Sequence, residues 1–100
     1  MAEFDLVIRG GEVATGFGTT RCDIGVKDGR IVAMAERLTD GTKLVDAAGT
    51  LVLPGGVDSH CHIEEPSPFG AVHEDSFITA SASAFVGGTT SVVCFVPHWK

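Results

Sequence analysis

Pro54-Gly55-Gly56 divides this chain into two stretches with different hydrophobic periods, and that change of period limits the folds open to it. Upstream, short apolar runs alternate with glycine-rich breaks. Phe4-Asp5-Leu6-Val7-Ile8-Arg9 reads as a strand closed by a turn at Gly10-Gly11, with Glu12-Val13-Ala14-Thr15 as its partner and Gly16-Phe17-Gly18 as a second turn. Cys22-Asp23-Ile24-Gly25-Val26-Lys27 alternates apolar and polar residues, as a half-buried strand does. Asp28-Gly29 is a strong hairpin signal and leads into a return strand at Arg30–Ala35. Lys43–Asp46 and Thr50–Leu53 read as two more short strands around Ala47-Ala48-Gly49. The expectation is antiparallel β structure without a helix.

Downstream the period lengthens. Val57 to Ile63 reads as a strand, and Pro66, Pro68 and Gly70 mark a loop. From about Glu74 to Val86 the residues Phe77, Ile78, Ala82 and Phe85 fall on one stripe of a helix. Glu74 and Asp75 suit the dipole at its start, and Gly87-Gly88 suits its end. Thr90–Val96 is nearly continuous apolar and β-branched, the pattern of a strand buried on both faces. Strand, helix and buried strand make a parallel βαβ unit. The organisation expected is a β part over residues 1–53 and the opening of a parallel α/β part over 54–100. One βαβ unit cannot close a core, and a parallel barrel takes about 250 residues. Val96-Pro97-His98-Trp99-Lys100 follows a strand-like run without a cap, so a much longer chain is expected.

The chemistry lies just past the break, in Asp58-Ser59-His60-Cys61-His62. On an extended backbone Asp58, His60 and His62 share one face. Neutral imidazole suits zinc and its neighbours, and the C-terminal ends of barrel strands carry active sites. His60 and His62 are therefore candidate metal ligands. Asp58 is a candidate to accept an imidazole N–H behind them, with a backbone-binding aspartate at the start of the strand as the equal alternative. Cys61 faces away and is not counted as a ligand. Glu64 and Glu65 read as solvated loop acids, with Glu64 also a candidate for the substrate rim. His98 follows the second strand on that rim, and His73 reads as a loop histidine.

Cys22, Cys61 and Cys94 form no CxxC pattern and read as reduced, buried thiols. A net charge of -6 argues against nucleic acid or anionic membrane as partner. No apolar run is long enough to span a bilayer. Acidic residues stand where a secretory signal carries basic ones, so the location expected is cytoplasmic.

Leu-Pro-Gly-Gly-Val-Asp-Ser-His-Cys-His, over residues 53–62, resembles the first-strand signature of the amidohydrolase superfamily. Val45-Asp46-Ala47-Ala48-Gly49 before Leu53-Pro54-Gly55, and Gly87-Gly88-Thr89-Thr90 before the second strand, are also similar to that family. Within it the chain looks most like the hydantoinase and dihydropyrimidinase branch. Two residues after the second histidine, dihydroorotases have Arg and allantoinases Asn, whereas Glu64 here resembles bacterial hydantoinases. Cys94 departs from the branch, which commonly carries Asp there.

The resemblance implies a (β/α)8 TIM barrel joined to a small β-sandwich built from both chain ends. It implies that His60 and His62 bind the more buried of two divalent metal ions, usually zinc. A carboxylated lysine bridging the metals, two later histidines and an aspartate would lie beyond residue 100, so no catalytic residue is expected within it. The activity implied is opening of a hydantoin or dihydropyrimidine ring to an N-carbamoyl amino acid by a metal-held hydroxide. The partners implied are a small cyclic amide and further copies of the chain in a homotetramer. The alternatives are an allantoinase, a dihydroorotase, a cyclic imide hydrolase or a non-catalytic dihydropyrimidinase-like assembly protein. Retention of both histidines weighs against the last.

Overall fold

Gly10-Gly11 does not turn the chain. A computed structural model describes residues 2–65, 69–70 and 74–96, and in it β1 (Phe4–Thr15) continues through both glycines. β2 (Gly18–Lys27) returns antiparallel to β1, and β3 (Arg30–Ala35) returns antiparallel to β2. The Asp28-Gly29 turn between them has φ of 50° and 72°, the left-handed pair that a two-residue hairpin of this twist requires.

The glycine pair makes a bulge. Ile8 pairs with Ile24 and Gly11 with Cys22, so Arg9 and Gly10 together face Asp23. Gly10 takes φ of 74°, which a side chain would resist. The N–H that the bulge frees is taken by Asp23, whose Oδ1 accepts from Gly10 N at 2.8 Å. Its Oδ2 accepts from Leu38 N at 2.8 Å, which holds the segment after β3 to the same point. Alternation made Asp23 the polar member of a half-buried strand, yet it is only 5% exposed. It is a buried staple whose two acceptors satisfy two backbone donors.

A second departure from the expectation lies on the other edge of β1. β4 (Gly41–Asp46) and β5 (Leu51–Val52) both pair with β1 in parallel, giving a mixed five-stranded sheet ordered β3-β2-β1-β4 with β5 also on β1. Local turn signals report hairpins, whereas these pairings are made after an excursion through β2 and β3. β4 runs beside Phe4–Arg9 and β5 beside Glu12-Val13, so the tight turn at Ala47–Thr50 sits opposite the bulge. Ala47 N donates to Arg9 O at 2.8 Å and Glu12 N to Thr50 O at 3.0 Å, so the ladder resumes on either side of it.

The core of this unit, Met1–Pro54, consists of Phe4, Val7, Val13, Cys22, Ile24 and Ala47, with Val7 fully buried. Two glycines make room for it: a Cβ on Gly25 would come within 2.7 Å of the Phe4 ring, and one on Gly41 within 2.7 Å of Val7 Cγ2. Gly25→Ala is expected to destabilise this unit by about 1–3 kcal/mol through overpacking against Phe4. Thermal unfolding of the variant beside the parent protein measures it, and an unchanged midpoint would refute this account of the packing.

The second unit, Gly55–Lys100, holds β6 (Gly56–Cys61), α1 (Phe77–Val86) and β7 (Thr89–Cys94). β6 and β7 pair in parallel, as the βαβ reading requires. α1 begins later than expected because Ser76 caps it. Ser76 Oγ accepts from Thr79 N at 3.2 Å, and Thr79 Oγ1 accepts from Ser76 N at 2.9 Å, a reciprocal capping box. Glu74 and Asp75 therefore precede the helix. Asp75 Oδ1 accepts from the Thr79 hydroxyl at 2.9 Å and so backs the cap.

Burial in this unit departs from the expectation. The less exposed helix positions are Ala80 and Ala84, one turn apart, while Phe77, Ile78 and Phe85 are exposed. β7, read as buried on both faces, leaves Val92 and Val93 exposed. No described residue of the unit is fully buried, because two strands and one helix offer too little surface for a core.

Candidate functional site

Pro54-Gly55-Gly56 delivers the chain to β6 at close quarters. A Cβ on Gly55 would run into the Thr90 side chain, and Gly56 N donates to Gly88 O at 2.8 Å. β6 then pairs with β7 at Val57↔Ser91 and Asp58↔Val92, slips, and pairs again at Cys61↔Cys94. Asp58 sits at the slip. Its Oδ1 accepts from the backbone N of His60 at 3.1 Å, the local bond an aspartate makes two residues ahead of itself. This is the backbone bond of the second reading, and among the described residues the carboxylate bonds no imidazole.

His60 and His62 come together. Their ring centroids are 5.1 Å apart and their Nε2 atoms 3.1 Å apart. His62 lies just beyond β6, which ends at Cys61 rather than Ile63. Phe95 forms a floor to the pair, with centroids 5.9 Å from His60 and 5.1 Å from His62. Its backbone N donates to Cys61 O at 2.8 Å, which extends the ladder past β7 and places the Phe95 backbone beside the pair.

Glu64 takes a left-handed φ of 52°, uncommon for a residue with a side chain. With the chain turned there, it is Glu65 that meets His62, its Oε2 paired to Nδ1. A carboxylate only accepts, so the pairing calls for a proton on Nδ1, and in the neutral ring that leaves Nε2 as the lone pair. Glu64 is exposed and Glu65 half-buried. A carboxylate behind a histidine ring is the arrangement that orients metal-binding imidazoles.

The donor set can be tested against a metal. Two imidazoles on one tetrahedral zinc, at roughly 2.0–2.1 Å each, hold their nitrogens about 3.3 Å apart. The observed 3.1 Å fits that spacing, and a single N–H shared between the two nitrogens fits it as well. Among the described residues no group of three or more His, Cys, Asp or Glu is placed to hold an ion. The pair is at most half of a metal site.

Cys61 points away from the rings. Its Sγ lies 3.6 Å from Cys94 Sγ and 3.7 Å from Val93 O. Loss of water contact, and then the bond to Cys94, push its thiol above the ordinary value. His73 and His98 lie outside the described residues. Sequence reasoning missed two members of the site, Glu65 and Phe95. Glu65 stands three residues after His62, a reach that becomes legible once the strand is known to end at Cys61. Phe95 has no local signal, because parallel pairing alone places it.

No family model matches the chain. It is 42% identical over 91 residues to a D-hydantoinase of Ralstonia pickettii, an alignment covering 91% of the chain and 20% of that protein. It is 40% identical over 90 residues to an allantoinase of Escherichia coli, covering 90% of the chain and 19% of that protein. Its backbone matches a crystal structure of D-hydantoinase from Bacillus sp. AR9 with a TM-score of 0.81 and 40% identity, over 89% of the chain and 19% of that structure. The chain thus spans about a fifth of the length of the curated relatives it matches. No helix among the described residues is long and apolar enough to cross a membrane. The signature at residues 53–62, the strand pairing behind it and these alignments agree, and the chain belongs to the amidohydrolase superfamily, in its hydantoinase and dihydropyrimidinase branch.

Proposed function

We propose that the protein carrying this chain hydrolyses a cyclic amide, opening a hydantoin or dihydropyrimidine ring to an N-carbamoyl amino acid, with His60 and His62 as two ligands of a divalent metal centre. The observation that supports this most is the approach of the two Nε2 atoms, 3.1 Å apart at the end of a parallel strand, with Glu65 behind His62. An ion held there, zinc or a neighbouring metal that imidazole suits, would supply a lowered water pKa and a polarised carbonyl. The chain's own residues prepare that chemistry. Glu65 sets the His62 tautomer so that Nε2 faces outward, and Phe95 limits how far either ring can turn. The Asp58 bond to His60 N holds the backbone slip that lets the two rings converge. The remaining ligands and the group that returns a proton to the leaving nitrogen are assigned to sequence beyond residue 100.

A second reading, an allantoinase, is favoured by the 40% identity to the Escherichia coli enzyme. Allantoin is itself a substituted hydantoin, so both readings place the same ring amide at the same centre. They differ in what the rim accepts, and Glu64 is this chain's candidate there. The decisive experiment uses full-length protein with metal analysis and a panel of hydantoin, dihydrouracil, allantoin and dihydroorotate. Chelator-sensitive turnover of hydantoin or dihydrouracil is expected. Turnover indifferent to chelation, or no bound divalent metal in an active preparation, would sink the proposal.

Glu65→Ala is expected to lower metal affinity about 10–100-fold, the range for removing the carboxylate behind a histidine ligand. Glu65→Gln, whose amide oxygen still accepts from Nδ1, is expected to lose less. Competition with a chromogenic chelator reads both. Equal affinities in parent and Glu65→Ala would show that the pairing orients nothing.

A further inference from the structure

Cys61 and Cys94 stand 33 residues apart in sequence and are brought together by the register of the parallel ladder, in which they are direct partners. Both are free and half-buried, and their sulfurs are 3.6 Å apart. Neighbouring strands run about 4.7–4.9 Å apart, which lies inside the Cα separation of about 4.4–6.8 Å that a disulfide bridges. The sulfurs therefore need only side-chain rotation to pass from contact to bond. Cys22 is placed differently, buried with Val13 and Ile24 in the core of the first unit.

We propose that Cys61 and Cys94 form a redox-active dithiol that closes to a cross-strand disulfide with a peroxide or a low-molecular-weight disulfide as oxidant. With a disulfide oxidant, one cysteine sulfur attacks it, expels one thiol and becomes a mixed disulfide. The other cysteine sulfur attacks that bond, forms Cys61–Cys94 and expels the second thiol, so the protein loses two electrons and two protons and the oxidant becomes two thiols. With a peroxide, the first sulfur attacks one oxygen and becomes a sulfenic acid while the O–O bond breaks and the other oxygen leaves as water or an alcohol; the second sulfur then attacks the first and expels the sulfenic oxygen as water. The bond ties the strand bearing the imidazoles to the one leading to Phe95, immediately behind the ring pair. Its formation does not depend on the metal reading.

Full-length protein is reduced, treated with diamide or glutathione disulfide, digested without reduction and analysed by mass spectrometry. The expected product is a linked peptide pair containing Cys61 and Cys94, lighter than the two thiol peptides by two hydrogens and lost on treatment with dithiothreitol. In Cys94→Ser the linked pair is expected to vanish, with Cys61 recovered as a thiol or a mixed disulfide. The same oxidant applied in urea verifies that both cysteines are detectable when exposed. Recovery of Cys61 and Cys94 from the folded protein as free thiols, as separate adducts or linked to other cysteines overturns the proposal. Metal content of the oxidised protein is read in parallel. A protein without metal that still forms the link leaves this inference standing while the metal reading fails.

Discussion

Replacing His60 or His62 with alanine in the full-length protein is expected to reduce divalent metal binding and cyclic amide hydrolysis together, by more than about 100-fold. The floor comes from the carboxylates behind metal-bound histidines, whose loss typically costs about 10–100-fold; a direct ligand contributes more than the group that orients it. The two Nε2 atoms converge at 3.1 Å, so removing either ring leaves a single nitrogen and a gap at the end of β6. Both rings are exposed within their unit. Thermal unfolding of the metal-free variants is therefore expected to stay within about 0.5 kcal/mol of the metal-free parent, as for other exposed substitutions. Metal titration and turnover, measured on the same preparations, test the coupling. A His60→Ala or His62→Ala protein that binds metal and turns over as the parent does would remove this pair from the chemistry.

The second large effect concerns stability. Asp23→Ala is expected to destabilise the first unit by about 2–5 kcal/mol, because Gly10 N and Leu38 N would each lose a partner and an unpaired buried donor costs about 1–3 kcal/mol. Asp23→Asn should fall between, since an amide offers one oxygen where the carboxylate offers two. The effect also depends on pH. The bond from Leu38 N, followed by the bond from Gly10 N and the charges of Arg9 and Arg37, outweighs the opposing effect of burial and holds the Asp23 carboxyl below its ordinary value of 3.8. A carboxylate with a depressed folded pKa binds fewer protons folded than unfolded. Its contribution is therefore complete above 3.8 and is lost as pH falls through the lower folded value. The stability gap between parent and Asp23→Ala should be widest near neutrality and narrow in acid. A gap that is constant with pH, or absent, would show that the staple does not hold the bulge.

Asp23 also shows where local reading stops. Alternation located its strand, because the period of two is written in adjacent residues. Its burial was not written there, because the donors it satisfies belong to a bulge in β1 and a segment after β3. The same division runs through β4 and β5. Their strand character follows from β-branched residues between breaks, but their parallel pairing to β1 depends on which edge of β1 remained open.

In the second unit the helix stripe was legible and its environment was not. Phe77, Ile78 and Phe85 declare an apolar face, yet of the helix positions only Ala80 and Ala84 are partly covered. Periodicity reports which residues prefer burial, not whether the chain supplies enough surface to provide it.

By itself, the sequence determined the change of period at Pro54-Gly55-Gly56, the hairpin at Asp28-Gly29, the βαβ order and the identity of the two imidazoles. Each is a matter of neighbouring residues and the chemistry of single side chains. Tertiary structure alone decided that Glu65 stands behind His62, that Asp58 binds the His60 backbone, that Phe95 lies under both rings, and that Cys61 meets Cys94. The physical reason is register. A strand that ends two residues early and a ladder that slips between Asp58 and Cys61 change which side chains meet, and no local preference encodes that slip.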